Sequence, residues 1–186
     1  GKSKLLAENY VCRQNDFPYV ILCSTGVYGP GEKDYRMEIQ SIRRGFDFAV
    51  GRQPQQLSFI YVKDLSEVAF RALENPEVRN RRYLVADGDV HTDTEFARLI
   101  QELVRKKHVF RVRLPLWIVY LYCLLSESVG RLTGHAMTLN TDKYRILRQR
   151  NWTCDVTPLH RELAFRPACN LRRGLQETLQ AEPDKH

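Results

Sequence analysis

The residues best placed for chemistry lie in Val20-Ile-Leu-Cys-Ser-Thr-Gly-Val-Tyr-Gly-Pro-Gly31. A short run of β-favouring residues ends there in turn formers, the pattern of a buried strand opening into a functional loop. In open α/β sheets, ligands bind just beyond the carboxyl ends of such strands. Cys23, Ser24 and Thr25 would bring a thiol and two hydroxyls to that end. Gly26, Gly29 and Gly31 would allow positive φ and close backbone approach, although a plain tight turn explains the same glycines. No histidine lies near Cys23 in the sequence to activate its thiol, so it reads as a small buried residue rather than a nucleophile.

The elements around this stretch alternate between helix and strand, the α/β signature. Residues 3–14 carry Leu5, Leu6, Tyr10 and Val11 at helical spacing, and Pro18 prepares the strand 19–24. A loop is expected over 26–31. A helix over 35–44 follows, with Met37, Ile39 and Ile42 for packing and Gly45 as its stop. Strands are expected at 46–50 and 57–62. Asp64 is placed to cap a helix whose apolar face is Leu65, Val68, Ala69, Ala72 and Leu73. A strand at 82–86, a helix opened by a Thr92/Glu95 capping box and a strand at 109–112 complete this part. After Pro115 the pattern becomes helical, over 116–132, 138–149, 158–164 and 171–179.

Composition narrows the function classes. The chain has 186 residues and a formal net charge of +7. Its arginines are scattered over several segments rather than forming one groove, which argues against nucleic acid as the main partner. Five cysteines at wide spacings, with no C-x-x-C pair, point to a reducing, cytoplasmic setting. The histidines form no ligand pair, and no metal is expected. The longest apolar run, 114–125, is shorter than the ~20 residues of a membrane-spanning helix. The sequence opens without methionine inside a helical pattern, and a missing upstream part is expected.

The ordered set Gly1-Lys-Ser-Lys4 on a helix, Thr25-Gly-Val-Tyr-Gly-Pro-Gly31 after a strand, Phe59-Ile-Tyr-Val-Lys-Asp64 opening a helix, and Glu162-Leu-Ala-Phe-Arg-Pro167 before Leu171-Arg-Arg-Gly-Leu-Gln-Glu-Thr178 resembles the extended short-chain dehydrogenase/reductase family, also called the NAD-dependent epimerase/dehydratase family. The resemblance covers nearly the whole chain and matches that family's carboxyl-terminal part. It implies an α/β fold: the carboxyl-terminal part of a Rossmann-type parallel sheet, interleaved with substrate-lobe strands over 1–113, plus a smaller, mostly helical substrate-binding lobe over 114–180 and a disordered tail over 181–186. It implies NAD or NADP as cofactor, a small-molecule substrate and, by analogy, a homodimer.

The resemblance also assigns roles. Lys4 would be the lysine of a catalytic Tyr-x-x-x-Lys pair, with the tyrosine just before Gly1. Residues four apart share a helix face, and a nearby ammonium favours the phenolate, so the tyrosine can act as acid or base near neutrality. Lys4 would also hold the nicotinamide ribose. Cys23, Ser24 and Thr25 would face the nicotinamide, and Gly26 and Val27 the substrate. Tyr28 would pack and hydrogen-bond. Family members often carry Arg-Pro, or Arg and an aromatic, where this chain has Cys23-Ser24.

On the substrate side, nucleotide-sugar members place an arginine two residues before the Phe of Phe-Ile-Tyr-Val; here that residue is Leu57. Arg52 stands nearby as the substitute substrate-binding candidate, in a different register. Bidentate phosphate recognition depends on geometry, so the two are not equivalent. Leu57 and the apolar 116–132 helix are more similar to the dihydroflavonol reductase and 3β-hydroxysteroid dehydrogenase branches. Trp117, Tyr120, Tyr122 and Leu124 would then line or lid an apolar pocket, with core packing or a protein or membrane-surface contact as the plain alternative. The implied activity is hydride transfer between a nicotinamide and a carbonyl or alcohol carbon, with the isolated chain inactive. The alternatives are a nucleotide-sugar epimerase or dehydratase, and a non-catalytic NAD(P)-sensing or RNA-binding protein on the same scaffold.

Overall fold

The structure is a computed structural model and describes residues 2–14, 17–133 and 140–181. The chain runs α1 (Lys2–Cys12), β1 (Val20–Ser24), β2 (Gly26–Tyr28), α2 (Lys33–Arg44), β3 (Phe46–Val50), β4 (Gln56–Leu57), β5 (Phe59–Tyr61) and α3 (Val62–Glu74). It continues through β6 (Arg81–Val85), β7 (His91–Thr92), α4 (Asp93–Leu103), β8 (Phe110–Leu114) and α5 (Leu116–Thr133). It ends with α6 (Thr141–Leu147), β9 (Asn151–Trp152), α7 (Thr157–Glu162) and α8 (Leu171–Ala181). Most of the expected tail, 182–186, lies outside the described residues.

These elements form two compact units. The first comprises Gly1–Glu32, Ser58–Val90 and Thr153–His186; the second comprises Lys33–Leu57 and His91–Trp152.

In the first unit, β1 pairs in parallel with β6, from Val20 opposite Arg81 to Ser24 opposite Val85. β2 pairs in parallel with β5. Parallel neighbours need a crossover connection, and the core is what covers the sheet: Ile60, Val68, Ala72, Val78, Tyr83, Val85, Leu159, Leu163 and Phe165 form one buried cluster. The 26–31 segment is therefore not all loop. Its first three residues are β2, because Gly26 N–H donates to Ser58 O (3.3 Å) and starts a ladder. Gly29 and Gly31 do have positive φ (152° and 86°), and a Cβ on Gly29 would fall 2.5 Å from a Val62 methyl. Gly26 needs no such conformation.

The expected 57–62 strand is split. Leu57 belongs to β4 of the second unit, Phe59–Tyr61 form β5 of the first, and Val62 already begins α3. Asp64 is consequently the third residue of α3 and not its cap. Its carboxylate is buried and accepts Ala168 N–H (3.2 Å) and Cys169 N–H (3.1 Å). Leu73, expected on the packed face of α3, is 82% exposed, and the apolar residues Leu5, Leu6 and Tyr10 of α1 are exposed as well. Helical spacing marks a stripe but not whether a neighbour covers it.

In the second unit, β3 pairs in parallel with β8, and a small sheet of order β7-β4-β9 mixes both senses. α2 and α4 pack through Ile39, Ile42, Phe96, Ala97 and Ile100, and the rings of Tyr35 and Phe96 meet at 5.5 Å. Met37 is exposed. The Thr92/Glu95 capping box is present, with bonds of 3.1 and 2.7 Å. The tiny strands β7 and β9 escaped the sequence reading because two residues carry no periodicity.

A close packing in the first unit joins α8 to β2. A Cβ on Gly174 would lie 2.6 Å from the Tyr28 ring and hydroxyl, and Tyr28 is 1% exposed. Gly174→Ala should destabilise the protein by about 1–3 kcal/mol through overpacking, read as a lower urea midpoint. An unchanged midpoint would mean that the Tyr28 ring is free to move aside.

Candidate functional site

The carboxyl end of β1 is built from both sides. Thr25 donates twice to Val85 O, through its amide (3.0 Å) and its hydroxyl (3.2 Å), which locks the residue after β1 to the end of β6. Ser24, one residue earlier, is exposed. The Arg82 guanidinium on β6 donates to Cys23 Sγ (3.3 Å) and pairs with Glu8 of α1 (3.2 Å). Glu8 follows Lys4 by four residues on the same helix face, so this pair ties the Lys4 face of α1 to the sheet. Lys4 itself is exposed. Neither Arg82 nor Glu8 stood out in the sequence. Their signal was an acidic residue one turn after Lys4 and two basic residues opening the strand that continues through Tyr83, Leu84 and Val85.

Gly26 and Val27 continue into β2, half-buried beside β5. Tyr28 closes the strand. Its hydroxyl donates to Asn170 O (3.4 Å), and its ring meets Phe59 edge-on at 6.0 Å and Tyr61 at 5.4 Å. Burial first, then the neighbouring Cys169, Asp87, Asp64 and Tyr61, push its hydroxyl well above the usual phenol range. Tyr28 is therefore a packing residue and no acid–base group near neutrality.

The arm that holds this wall is the C-terminal helix. Glu177 of α8 accepts Lys63 Nζ and the Tyr61 hydroxyl, both at 2.9 Å, and Arg173 Nε at 3.2 Å. The hydrogen bond from Lys63, followed by that from Tyr61, keeps the Glu177 carboxyl below its ordinary range. Burial, then the Glu177 bond, raises the Tyr61 phenol. Lys63 and Tyr61 are thus engaged in docking α8.

Arg52 lies in the second unit, on an exposed turn. The other six candidates, Lys4, Cys23, Ser24, Thr25, Gly26 and Val27, lie in the first. The turn carrying Arg52 is gripped by a different arginine. Arg150 donates to Val50 O (3.0 Å) and Gln53 O (2.7 Å), and its guanidinium fills the space that a Cβ on Gly51 would take. The separation of about a hundred residues between Arg150 and its partners hid this role from the sequence.

The second unit also encloses a cavity of about 220 Å³ lined by Tyr35, Glu38, Asp47, Asp93, Arg111 and Arg113. Arg111 pairs with Asp47 (3.2 Å), and Arg113 pairs with Asp93 (3.4 Å) and donates to Thr94 Oγ1 (2.8 Å). Three carboxyls face two guanidinium groups. Burial, then Asp47 and Asp93, push the Glu38 carboxyl up to about 8. Burial also raises Asp47, against the opposing pull of Arg111.

Trp117, Tyr120, Tyr122 and Leu124 line no part of this cavity; all four are exposed. The buried stripe of α5 is Val119, Cys123, Ser126 and Gly130.

Comparison with known proteins fits this architecture. The UDP-glucose 4-epimerase of Vibrio cholerae is 26% identical over 191 residues, covering 97% of this chain and 52% of that protein. Short-chain dehydrogenase/reductase family 42E member 1 of Macaca fascicularis is 29% identical over 152 residues, 72% of this chain and 38% of that protein. The chain is similar in sequence to both. No family model matches it. The fold is theirs too: the Thermotoga maritima UDP-glucose 4-epimerase solved with UDP-glucose superposes with a TM-score of 0.67 at 18% identity, over 97% of this chain and 50% of that one. The epimerase of Methanothermobacter thermautotrophicus gives 0.70 at 16% identity, over 95% and 46%. The chain spans about half the length of the UDP-glucose 4-epimerase it matches. The α/β reading, a Rossmann-type parallel part with a smaller lobe, agrees with these relatives.

The carboxyl cluster has a pH consequence with a definite sign. The folded chain binds a proton at Glu38 up to about pH 8, whereas an unfolded glutamate loses it near 4.3. Between those values the folded state holds more protons, so stability falls as pH rises. Denaturant midpoints should decline from pH 5 to 8, and Glu38→Gln should flatten that decline. A rising profile in the wild type would contradict the burial of this carboxyl.

Proposed function

We propose that this chain is the carboxyl-terminal part of an NAD(P)-dependent oxidoreductase or epimerase that moves hydride between a nicotinamide and a carbonyl or alcohol carbon. The observation that carries this reading is the end of β1. Ser24 stands exposed there, Thr25 is clamped to β6, and the Glu8–Arg82 pair ties the Lys4 face of α1 to the same sheet. That is where a doubly wound sheet holds a ligand. The fit is chemical. Lys4 brings three N–H donors for ribose hydroxyls, Ser24 a free-standing hydroxyl, and the backbone of Cys23–Gly26 a wall without bulky side chains.

In this reading the nicotinamide supplies the hydride acceptor or donor. Lys4 orients the ribose and, through its charge, favours the phenolate of a tyrosine four residues earlier in the intact sequence. Gly26 and Val27 border the substrate. The exposed position of Arg52 leaves its part in substrate binding to the same proposal. The substrate is a small molecule. Leu57, where a diphosphate-gripping arginine would stand, favours a less charged carbonyl compound. A nucleotide sugar is the second reading, favoured by the match of 97% of the chain to an epimerase named for UDP-glucose. All five cysteines are free thiols, which suits work in a reducing cytoplasm.

The test uses the chain joined to the coding sequence that precedes it. Nicotinamide absorbance is followed with panels of ketones, alcohols and nucleotide sugars. Lys4→Met should lower kcat/KM by about 10²-fold or more while leaving the fold intact. Activity unaffected by Lys4→Met would remove Lys4 from the site.

A further inference from the structure

Among the described residues, the parallel pair β3–β8 keeps one edge open. Phe110 N–H donates to Gly45 O (2.7 Å), and Leu114 O accepts Gly51 N–H (2.8 Å). In a parallel ladder alternate residues bond to the same neighbour. Phe110, Val112 and Leu114 therefore serve β3, while Arg111 and Arg113 turn their backbone N–H and C=O groups to the far edge of β8. Among the described residues no strand pairs there, and no backbone group of Arg111 or Arg113 finds a partner. The outer edge of β3 is different: Phe46 O accepts the Ser41 hydroxyl (2.8 Å), and Val50 O accepts Arg150 (3.0 Å). Charged side chains commonly guard an open edge. Those of β8 are instead drawn into ion pairs, Arg111 with Asp47 and Arg113 with Asp93. The opposite face of the pair is apolar. The register sets Phe46 beside Phe110 and Phe48 beside Val112. The rings of Phe46 and Phe48 stack at 6.0 Å, and Phe46, Phe48 and Phe110 are 46%, 59% and 68% exposed.

We propose that β8 docks an extended acidic peptide of another protein, which adds as a third strand along Arg111 and Arg113. Strand addition of this kind takes affinity from main-chain hydrogen bonds and specificity from alternate side chains. Peptide residues on the phenylalanine face would be apolar and would extend the row of Phe46, Phe48 and Phe110. Charge sets the rest. From Leu103 to Leu114 the sequence has no Asp or Glu, and Arg105, Lys106 and Lys107 lead into β8. Lys106 lies over Gly45, within 3.6 Å of the place a Cβ would take, and Arg44 precedes that glycine. These cations flank the Phe110 end of the open edge, where acidic residues of the peptide would sit. The same charges argue against a second copy of the chain as occupant, because β8 laid against β8 would set arginine opposite arginine. A single-stranded nucleic acid would use the cations and the rings but not the unpaired backbone edge, which favours a peptide. The proposal is independent of the nicotinamide reading.

The test uses the chain joined to the coding sequence that precedes it. The probe is a fluorescein-labelled peptide with a Val-Thr-Val-Thr-Val centre and two glutamates at each end, followed by anisotropy. Saturable binding is expected. It should weaken at least about tenfold when lysines replace the end glutamates, and as much when the central amides are N-methylated, which blocks strand pairing and keeps the charge. On the protein side, the peptide should slow amide hydrogen exchange at Arg111 and Arg113 and leave it unchanged at Phe110 and Val112, which already bond to β3. Lys106→Glu with Lys107→Glu should abolish binding at unchanged circular dichroism; if that variant fails to fold, the exchange pattern of the wild type decides. No binding, equal binding of the N-methylated peptide, or slowed exchange only outside β8 overturns the proposal. So does a single-stranded oligouridylate that displaces the peptide without slowing exchange at Arg111 and Arg113, which would give the surface to nucleic acid. A dimer that protects the same two amides without any peptide would give the edge to a second copy and overturns it as well.

Discussion

Two backbone amides ending on one buried carboxylate organise the first unit. Asp64 sits in the first turn of α3, where the helix dipole already favours its charge, and it receives the amides of Ala168 and Cys169. A buried carboxylate is costly unless it is satisfied in this way. The bonds fix the loop ahead of α8, and that loop sets how Gly174 meets Tyr28. Tyr28 in turn packs on Phe59 and Tyr61, which holds β2 beside β5. β2 begins one residue after Thr25, so the placement of the wall after β1 depends on residues more than a hundred positions away.

This explains which parts were legible in the sequence. β3 and β6, α4 with its capping box, and the parallel α/β character follow from local patterns, and these emerged nearly at their true bounds. Asp64 was misread because its partners come from the far end of the chain. By position it is a helix-start acid, and only the fold brings Ala168 and Cys169 to it. The split between Leu57 and Phe59 was hidden for a similar reason. Alternation continues through Ser58, while pairing partners change from β9 and β7 to β2. Arg82, Arg150 and Glu38 gain their meaning from neighbours on other elements, so residue type alone could not single them out. The exposed faces of α1, α3 and α5 were marked as apolar stripes, yet helical spacing does not say whether anything covers a stripe.

The second unit is stabilised differently. Its interior is partly ionic: Asp47–Arg111 and Arg113–Asp93 share a cavity with Glu38. Removing one member of such a set leaves a charge without compensation, so the set acts as a whole. The turn at Gly51 depends on Arg150 in the same manner, because the guanidinium occupies the room a side chain would need.

The central claim is that the end of β1 and the Lys4 face of α1 bound a nicotinamide. The most direct measurement is a crystal structure of the intact protein with NAD(P)H. The account predicts the nicotinamide ring against Cys23, Ser24 and Thr25, with Lys4 Nζ at about 3 Å, hydrogen-bond distance, from the ribose hydroxyls. A nicotinamide bound away from Ser24, with Lys4 in open solvent, would contradict it.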